Sequence, residues 1–301
     1  MNRSIFDSTS EKKIFSRLKT YWSKYVDIFT QIPVKSVIGY DQVKQFSNSD
    51  NALDFLLKTS FDFVICELGT GIPILVIEFD GLSGGFSAEG IYFIKDIPKN
   101  DSFRKLKMET KLTICERFNV PMIVVSYNES DVLPESGDHI SILDAIIGDS
   151  LEKHLHKKNY RKNLELLTEE YQYGGQQSFE MKTIEIDTIY EQYNPIKQKI
   201  KQITKEFLVW PMQIVFPVQE DDWLVGRFDL DWGHTILNGS LSTKKLISID
   251  LKIRKVGVFN SDCIFLFNTI GEYCLARNTE RELGNDKKKW QYKIDSTKFS
   301  K

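Results

Sequence analysis

Three carboxylates sit where core strands would be expected. Asp62 lies in SFDFVIC, and Glu78 and Asp80 lie in ILVIEFDG, with a glycine-containing turn between the two runs. A buried, unpaired carboxylate is costly, so such acids must be exposed at a strand end, paired, or bound to a cation. Side chains alternate along a strand, which puts Glu78 and Asp80 on one face of the second run and Asp62, Val64 and Cys66 on one face of the first. A hairpin symmetric about Thr70 sets Asp62 opposite Glu78, Val64 opposite Val76 and Cys66 opposite Ile74. A slip of one residue would break all three matches. Two opposed carboxylates repel, and a proton or a cation between them relieves the repulsion. A hard ion such as Mg²⁺ or Mn²⁺ suits two carboxylates, and the Phe79 carbonyl offers another oxygen. The competing reading is a solvated strand end where the acids only terminate the core.

Other residues bear on the choice. Arg104, Lys107 and Lys111 recur at spacings of three and four on a predicted helix, forming one stripe. That stripe is either a solvated basic face or a phosphate-binding group, with Lys111 placed to assist an attacking water. Glu11 lies one turn before Phe15 on the apolar side of the first helix. It serves either as the N3 residue of a Ser8 capping box or as a further acid of the site. Asp229 and Asp231 in GRFDLDWG, followed by Asp250 and Lys252 in ISIDLK, form a rival acid cluster without flanking helices. EKHLHKKNYRKN (residues 152–163) is basic and reads as a solvated helix or a phosphate-tracking one. His154 and His156, two apart, do not share a helix face and make a poor metal pair.

The elements that must position these residues follow from periodicity. Residues 8–25 read as a helix with Ile14, Phe15, Leu18, Trp22 and Tyr25 on one face. A short helix is expected around ALDFLL, strands at 61–66 and 72–79, a glycine-containing loop over 82–100, a helix at 101–118 and a strand at VPMIVVSY. Beyond residue 136 the chain turns charged and helical, interrupted by YGGQQS at 173–178. From Val209 to Tyr273, short apolar runs alternate with turns: QIVFPV, WLVGRFDL, KLISIDLKIRKVGVF and CIFLFN. The expected organisation is an α+β domain at 1–135, a charged helical segment at 136–207 and a β-rich unit at 208–301.

At 301 residues the chain can hold two domains or one large one. A net charge of −2 excludes a globally basic nucleic-acid binder, though not a local basic patch. The four cysteines, at 66, 115, 263 and 274, form no CxxC pair, which argues against structural zinc and fits a reducing, cytoplasmic setting. The N-terminal stretch has no apolar signal core, and no run reaches the ~18–20 apolar residues of a membrane span.

In this order, SEKKIFSRL, SFDFVIC, ILVIEFDG and METKLTICERFNVPMIVV resemble the PD-(D/E)XK, or restriction-endonuclease-like, nuclease superfamily. The likeness is closest to a bacterial family within it marked by a Glu-x-Asp-Gly strand end. It covers about the first 130 residues. It implies a three-layer core, a central mixed sheet flanked by helices, and Mg²⁺- or Mn²⁺-dependent hydrolysis of nucleic-acid phosphodiester bonds, with DNA as the expected partner. Asp62 and Glu78 would be metal ligands, with the Phe79 carbonyl beside them. Asp80 occupies the position of the usual lysine, and Lys111 replaces that lysine from the helix. Glu11 would complete the catalytic set, and Arg104 and Lys107 would contact nucleic acid. Restriction, repair or defence are settings such an activity would serve, and double-strand cutting with one site per chain would call for a homodimer. The alternative is an inactive copy of the fold used for binding.

Overall fold

The computed structural model describes residues 8–47, 50–81, 85–86, 92–93, 102–126, 140–204, 212–220, 223–231, 235–237, 240–242, 246–254 and 263–283. The chain divides into two compact units, one holding the N-terminal part together with Ser141–Asn194, the other holding Pro195–Arg254 and the chain from Ile264. Both mix helices and strands, as expected of an α+β protein. No described helix is long and apolar enough to cross a membrane.

The first unit opens with α1 (Thr9–Trp22), capped by Ser8, whose hydroxyl accepts from the Glu11 amide at 3.1 Å. Its buried residues Glu11, Ile14, Leu18 and Trp22 recur at spacings of three and four, so one stripe packs inward. The chain then enters β1 (Val26–Pro33), which the sequence reading did not foresee, and three short helices: α2 (Val34–Ile38), α3 (Tyr40–Phe46) and α4 (Asp50–Lys58). The expected hairpin follows as β2 (Ser60–Glu67) and β3 (Pro73–Phe79). Short β4 (Gly85–Phe86) and β5 (Tyr92–Phe93) pair with each other, and the rest of the 82–100 loop lies outside the described residues. The unit continues with α5 (Ser102–Arg117) and β6 (Met122–Val125).

Four strands form one sheet in the order β1-β2-β3-β6. The first three are antiparallel, and β6 runs parallel to β3. One sheet face, carrying Val64, Cys66, Val76, Met122 and Val124, packs into a core with Val34, Leu56, Met108, Leu112 and Cys115 from α2, α4 and α5. The alternate residues Ile65, Leu75, Ile77, Ile123 and Val125 are buried too. A sheet buried on both faces explains why its strands read as continuous apolar runs rather than alternating ones.

The hairpin register is borne out at Val64↔Val76 and corrected at its turn. Cys66 pairs with Pro73 rather than Ile74, because a bulge lies between Ile65 and Cys66. The turn makes room for it: Gly69 and Gly71 both adopt positive φ, 73° and 72°, which glycine reaches without strain.

Past residue 140, α6 (Ile142–Lys158) begins at a reciprocal Ser141–Asp144 capping box and contacts β3. Thus the charged helical stretch after 136 begins as part of the first unit. The next element, α7 (Tyr160–Glu191), is two arms rather than one rod. Asn163 Nδ2 donates to the Tyr190 hydroxyl at 2.9 Å. Those residues are 27 apart, a span of ~40 Å along a straight helix. The chain reverses at Gly175, with φ 69° and ψ −161°, inside the YGGQQS interruption.

In the second unit, α8 (Pro195–Thr204) buries Ile196, Ile200 and Ile203. Strands β7 (Met212–Glu220), β8 (Trp223–Asp231) and β11 (Leu246–Arg254) form an antiparallel sheet in the order β11-β8-β7, and β9 (Thr235–Leu237) pairs with β10 (Ser240–Ser242). The β-rich expectation fails at CIFLFN, which opens helix α9 (Cys263–Leu283). A short apolar run has no period of its own, and the helix-compatible stretch that follows decides it.

Candidate functional site

The chemistry expected of the hairpin gathers where β2 and β3 part. Their ladder ends at Phe63↔Ile77. One residue further, the acids themselves take over the backbone bonding. Asp62 Oδ2 accepts from the Phe79 amide at 2.8 Å, and Glu78 Oε1 accepts from the Asp62 amide at 3.3 Å. Each carboxylate thus satisfies an N–H that the diverging strands leave without a ladder partner. Glu78 is buried, Asp62 half-buried.

Lys111 closes the group from α5. It lies one turn beyond Met108 and just before Leu112, and both of these anchor the helix in the core. Its side chain is fully buried, and Nζ donates to Glu78 Oε2 at 2.7 Å. The ammonium also stands 5.7 Å from the centre of the Phe61 ring, within cation–π reach. The solvated-face reading of the stripe therefore fails at Lys111. Lys107 and Arg104 are partly exposed.

The electrostatics follow from burial. Removal from water pushes the Glu78 carboxyl up to about 7. The Lys111 charge and hydrogen bond oppose that rise, Asp62 adds to it, and Lys107 opposes it more weakly. One turn along α5, burial raises the Cys115 thiol, and the charge of Glu78 raises it further. Cys115 is thus a packing residue rather than a thiolate nucleophile.

Asp80, fully buried, follows β3, and its amide donates to the Val125 carbonyl at 2.7 Å. Its carboxylate forms an ion pair with Arg104. Arg104, expected to contact nucleic acid, therefore has a carboxylate partner inside its own unit, reached because one helix turn separates it from Lys107.

Glu11 is buried and held by two groups. The Ser8 hydroxyl donates to its Oε1 at 2.9 Å, and Gln31 Nε2 donates to its Oε2 at 3.3 Å. Ser8 therefore caps α1 by accepting from the Glu11 amide, and its hydroxyl binds the Glu11 carboxylate. Gln31 is the residue that sequence reasoning missed. It lies on β1 between Thr30↔Phe63 and Ile32↔Phe61, the position across from Asp62, and it adopts a left-handed φ of 53°. A non-glycine residue at positive φ inside a strand is uncommon and marks a locally enforced conformation. Ser126, buried just after β6, is another residue that no spacing pattern pointed to.

The rival acids are placed by backbone register alone. In the β8–β11 ladder, Asp229 faces Ser248 and Asp250 faces Arg227. The two histidines separate as expected. His154 Nε2 stands 3.2 Å from Glu67, and His156 3.5 Å from Asp187.

Among the described residues, no group of three or more His, Cys, Asp or Glu side chains is placed to hold a metal. The donors at the strand ends are instead the two carboxylates of Asp62 and Glu78. That hard-oxygen set fits a Mg²⁺-type ion, which is typically held by one or two carboxylates, waters and substrate phosphate. Each Glu78 oxygen accepts one described hydrogen bond and keeps a second lone pair.

No curated protein and no solved structure matches the chain. Over residues 3–141, which include the whole carboxylate group and its lysine, the chain is similar to a family described as Protein of unknown function (DUF2726).

Proposed function

We propose that this chain is a metal-dependent nuclease with a restriction-endonuclease-like core, acting on DNA. The observation that carries this reading is that Glu78 is bonded both to the Asp62 end of β2 and to Lys111 of α5, while Asp62 is bonded to the Phe79 end of β3. A mixed sheet buried on both faces supports the same fold assignment.

Asp62, Glu78 and the Phe79 carbonyl would hold Mg²⁺ or Mn²⁺. When bound, that ion supplies Lewis-acid polarisation of the phosphoryl oxygen and an activated water. The chain's own residues do the rest. Asp62 and Glu78 keep their relative position because each accepts from the other strand's end. Lys111 holds Glu78 by one N–H and keeps a positive charge fixed beside it. Arg104 pairs with Asp80 and holds it in place, while Glu11 fixes Gln31 across from Asp62.

A second reading draws on the Asp80–Arg104 pair. An acid answered by arginine rather than left for a cation suits an inactive nuclease fold kept for binding. One experiment separates the two. Plasmid and single-stranded DNA are incubated with Mg²⁺ or Mn²⁺, beside Asp62→Asn and Glu78→Gln. Metal-dependent cutting that both substitutions abolish supports the enzyme. Intact substrate, with no change in thermal midpoint on adding Mn²⁺, supports the binding module.

A further inference from the structure

A cavity lies at the other end of the same hairpin, about 470 Å³ in volume, within the range of small-molecule sites. One wall is apolar: Ile72, Pro73 and Ile74 at the start of β3, with Pro121 before β6. The other wall is α6, which presents Lys153, His154, Lys157 and Lys158. Ile74 and Glu78 are four residues apart on one strand, so ~13 Å separates this cavity from the carboxylate group.

The charges in the cavity do not balance. Glu67 takes His154 at 3.2 Å and forms an ion pair with Lys158. Lys153 pairs with Asp149 at 2.8 Å. Lys157 has no carboxylate partner among the described residues. Beneath these groups lies Ser150, 5% exposed, whose Oγ has no hydrogen-bond partner among the described residues. A buried hydroxyl without a partner costs about 1–3 kcal/mol, a cost that a bound acceptor removes. Excess positive charge, an unmet donor and an apolar wall facing them define a ligand with an anionic end and a flat apolar body. The Lys157 ammonium and the Ser150 hydroxyl together offer several donors, which suit the oxygens of a phosphate better than the two of a carboxylate. Phosphate alone would leave most of the cavity and its apolar wall unused.

From this geometry we infer that the cavity binds a nucleoside monophosphate, with the phosphate on Lys157 and Ser150 and the base against Ile72, Pro73 and Pro121. The inference does not depend on nuclease activity, because none of these residues belongs to the carboxylate group.

The test is calorimetric titration of the full chain with each of the four ribonucleoside monophosphates, with inorganic phosphate, and with adenosine. At least one monophosphate is expected to bind with Kd below ~1 mM, tighter than phosphate or adenosine. Lys157→Glu, at an exposed position, should weaken it by about tenfold or more, and Ser150→Ala by about threefold. Circular dichroism checks that both variants fold. The proposal is overturned by absence of binding at ~5 mM, by adenosine or phosphate binding as tightly as the monophosphate, or by unchanged affinity in Lys157→Glu.

Discussion

Lys111 Nζ and Glu78 Oε2 lie 2.7 Å apart, with both side chains out of reach of solvent. A charge pair so buried costs desolvation on both sides, and removing either partner strands the other. Lys111→Met should destabilise the protein by about 3–5 kcal/mol, and Glu78→Gln, which resembles the protonated carboxyl that burial favours, by less. The double variant should be less destabilised than the sum of the two. Urea denaturation of all four proteins measures this, and strict additivity would mean that the pair is not coupled.

The same burial sets a pH dependence. The folded value of Glu78, about 7, lies above its ordinary 4.5, so the folded state holds the proton more tightly. The stability this contributes is complete below about pH 4.5 and is lost as pH rises through about 7. The urea midpoint of the wild type should therefore fall between about pH 5 and about pH 8 relative to Glu78→Gln. A gap that widens in favour of the wild type as pH rises would contradict the sign.

Asp62 Oδ2 accepts from the Phe79 amide. Asp62→Asn retains a carbonyl acceptor for that amide but removes the charge. Stability should change by less than about 1 kcal/mol. Under the nuclease reading, cleavage should fall by about 100-fold or more, and Mn²⁺ should no longer raise the thermal midpoint. Equal cleavage by the wild type and Asp62→Asn would remove Asp62 from the proposed metal site.

Arg104 is the partly exposed partner of a fully buried Asp80. Arg104→Ala leaves that carboxylate buried without its guanidinium and should cost about 2–3 kcal/mol. Asp80→Asn/Arg104→Ala should recover part of the loss. If Arg104 acts mainly on nucleic acid, the single variant will instead keep its thermal midpoint and lose DNA affinity.

Asp144 joins three groups within the first unit. It completes the capping box of α6 with Ser141, pairs with Arg17, and accepts from Trp22 Nε1 at 2.9 Å. Asp144→Ala should cost about 3 kcal/mol or more, well beyond a lost cap alone. Thermal unfolding of Asp144→Ala beside Ser141→Ala, which removes only the cap, separates the contributions.

Much of the hairpin was legible because strand alternation is a local rule. It put Asp62 and Glu78 together from their spacing alone, and the Val64↔Val76 pairing agrees. The first helix was legible for the same reason, through its cap at Ser8 and its stripe of Ile14, Leu18 and Trp22. The reversal at Gly175 was marked by its glycines. These features depend on residues within a few positions of one another.

Other features depended on contacts between distant residues. Strand β1 carries Asp27, Thr30 and Gln31 among its apolar residues and shows no clean period, so only pairing with β2 makes it a strand. Periodicity placed Lys111 on a stripe with Arg104 and Lys107. Only the packing of α5 on the sheet decided that Lys111 is buried against Glu78 while Arg104 turns to Asp80. The sequence by itself determined which acids share a strand face, because backbone geometry enforces that locally. The tertiary structure decided which cation answers each acid, because that depends on where a helix more than twenty residues away comes to rest.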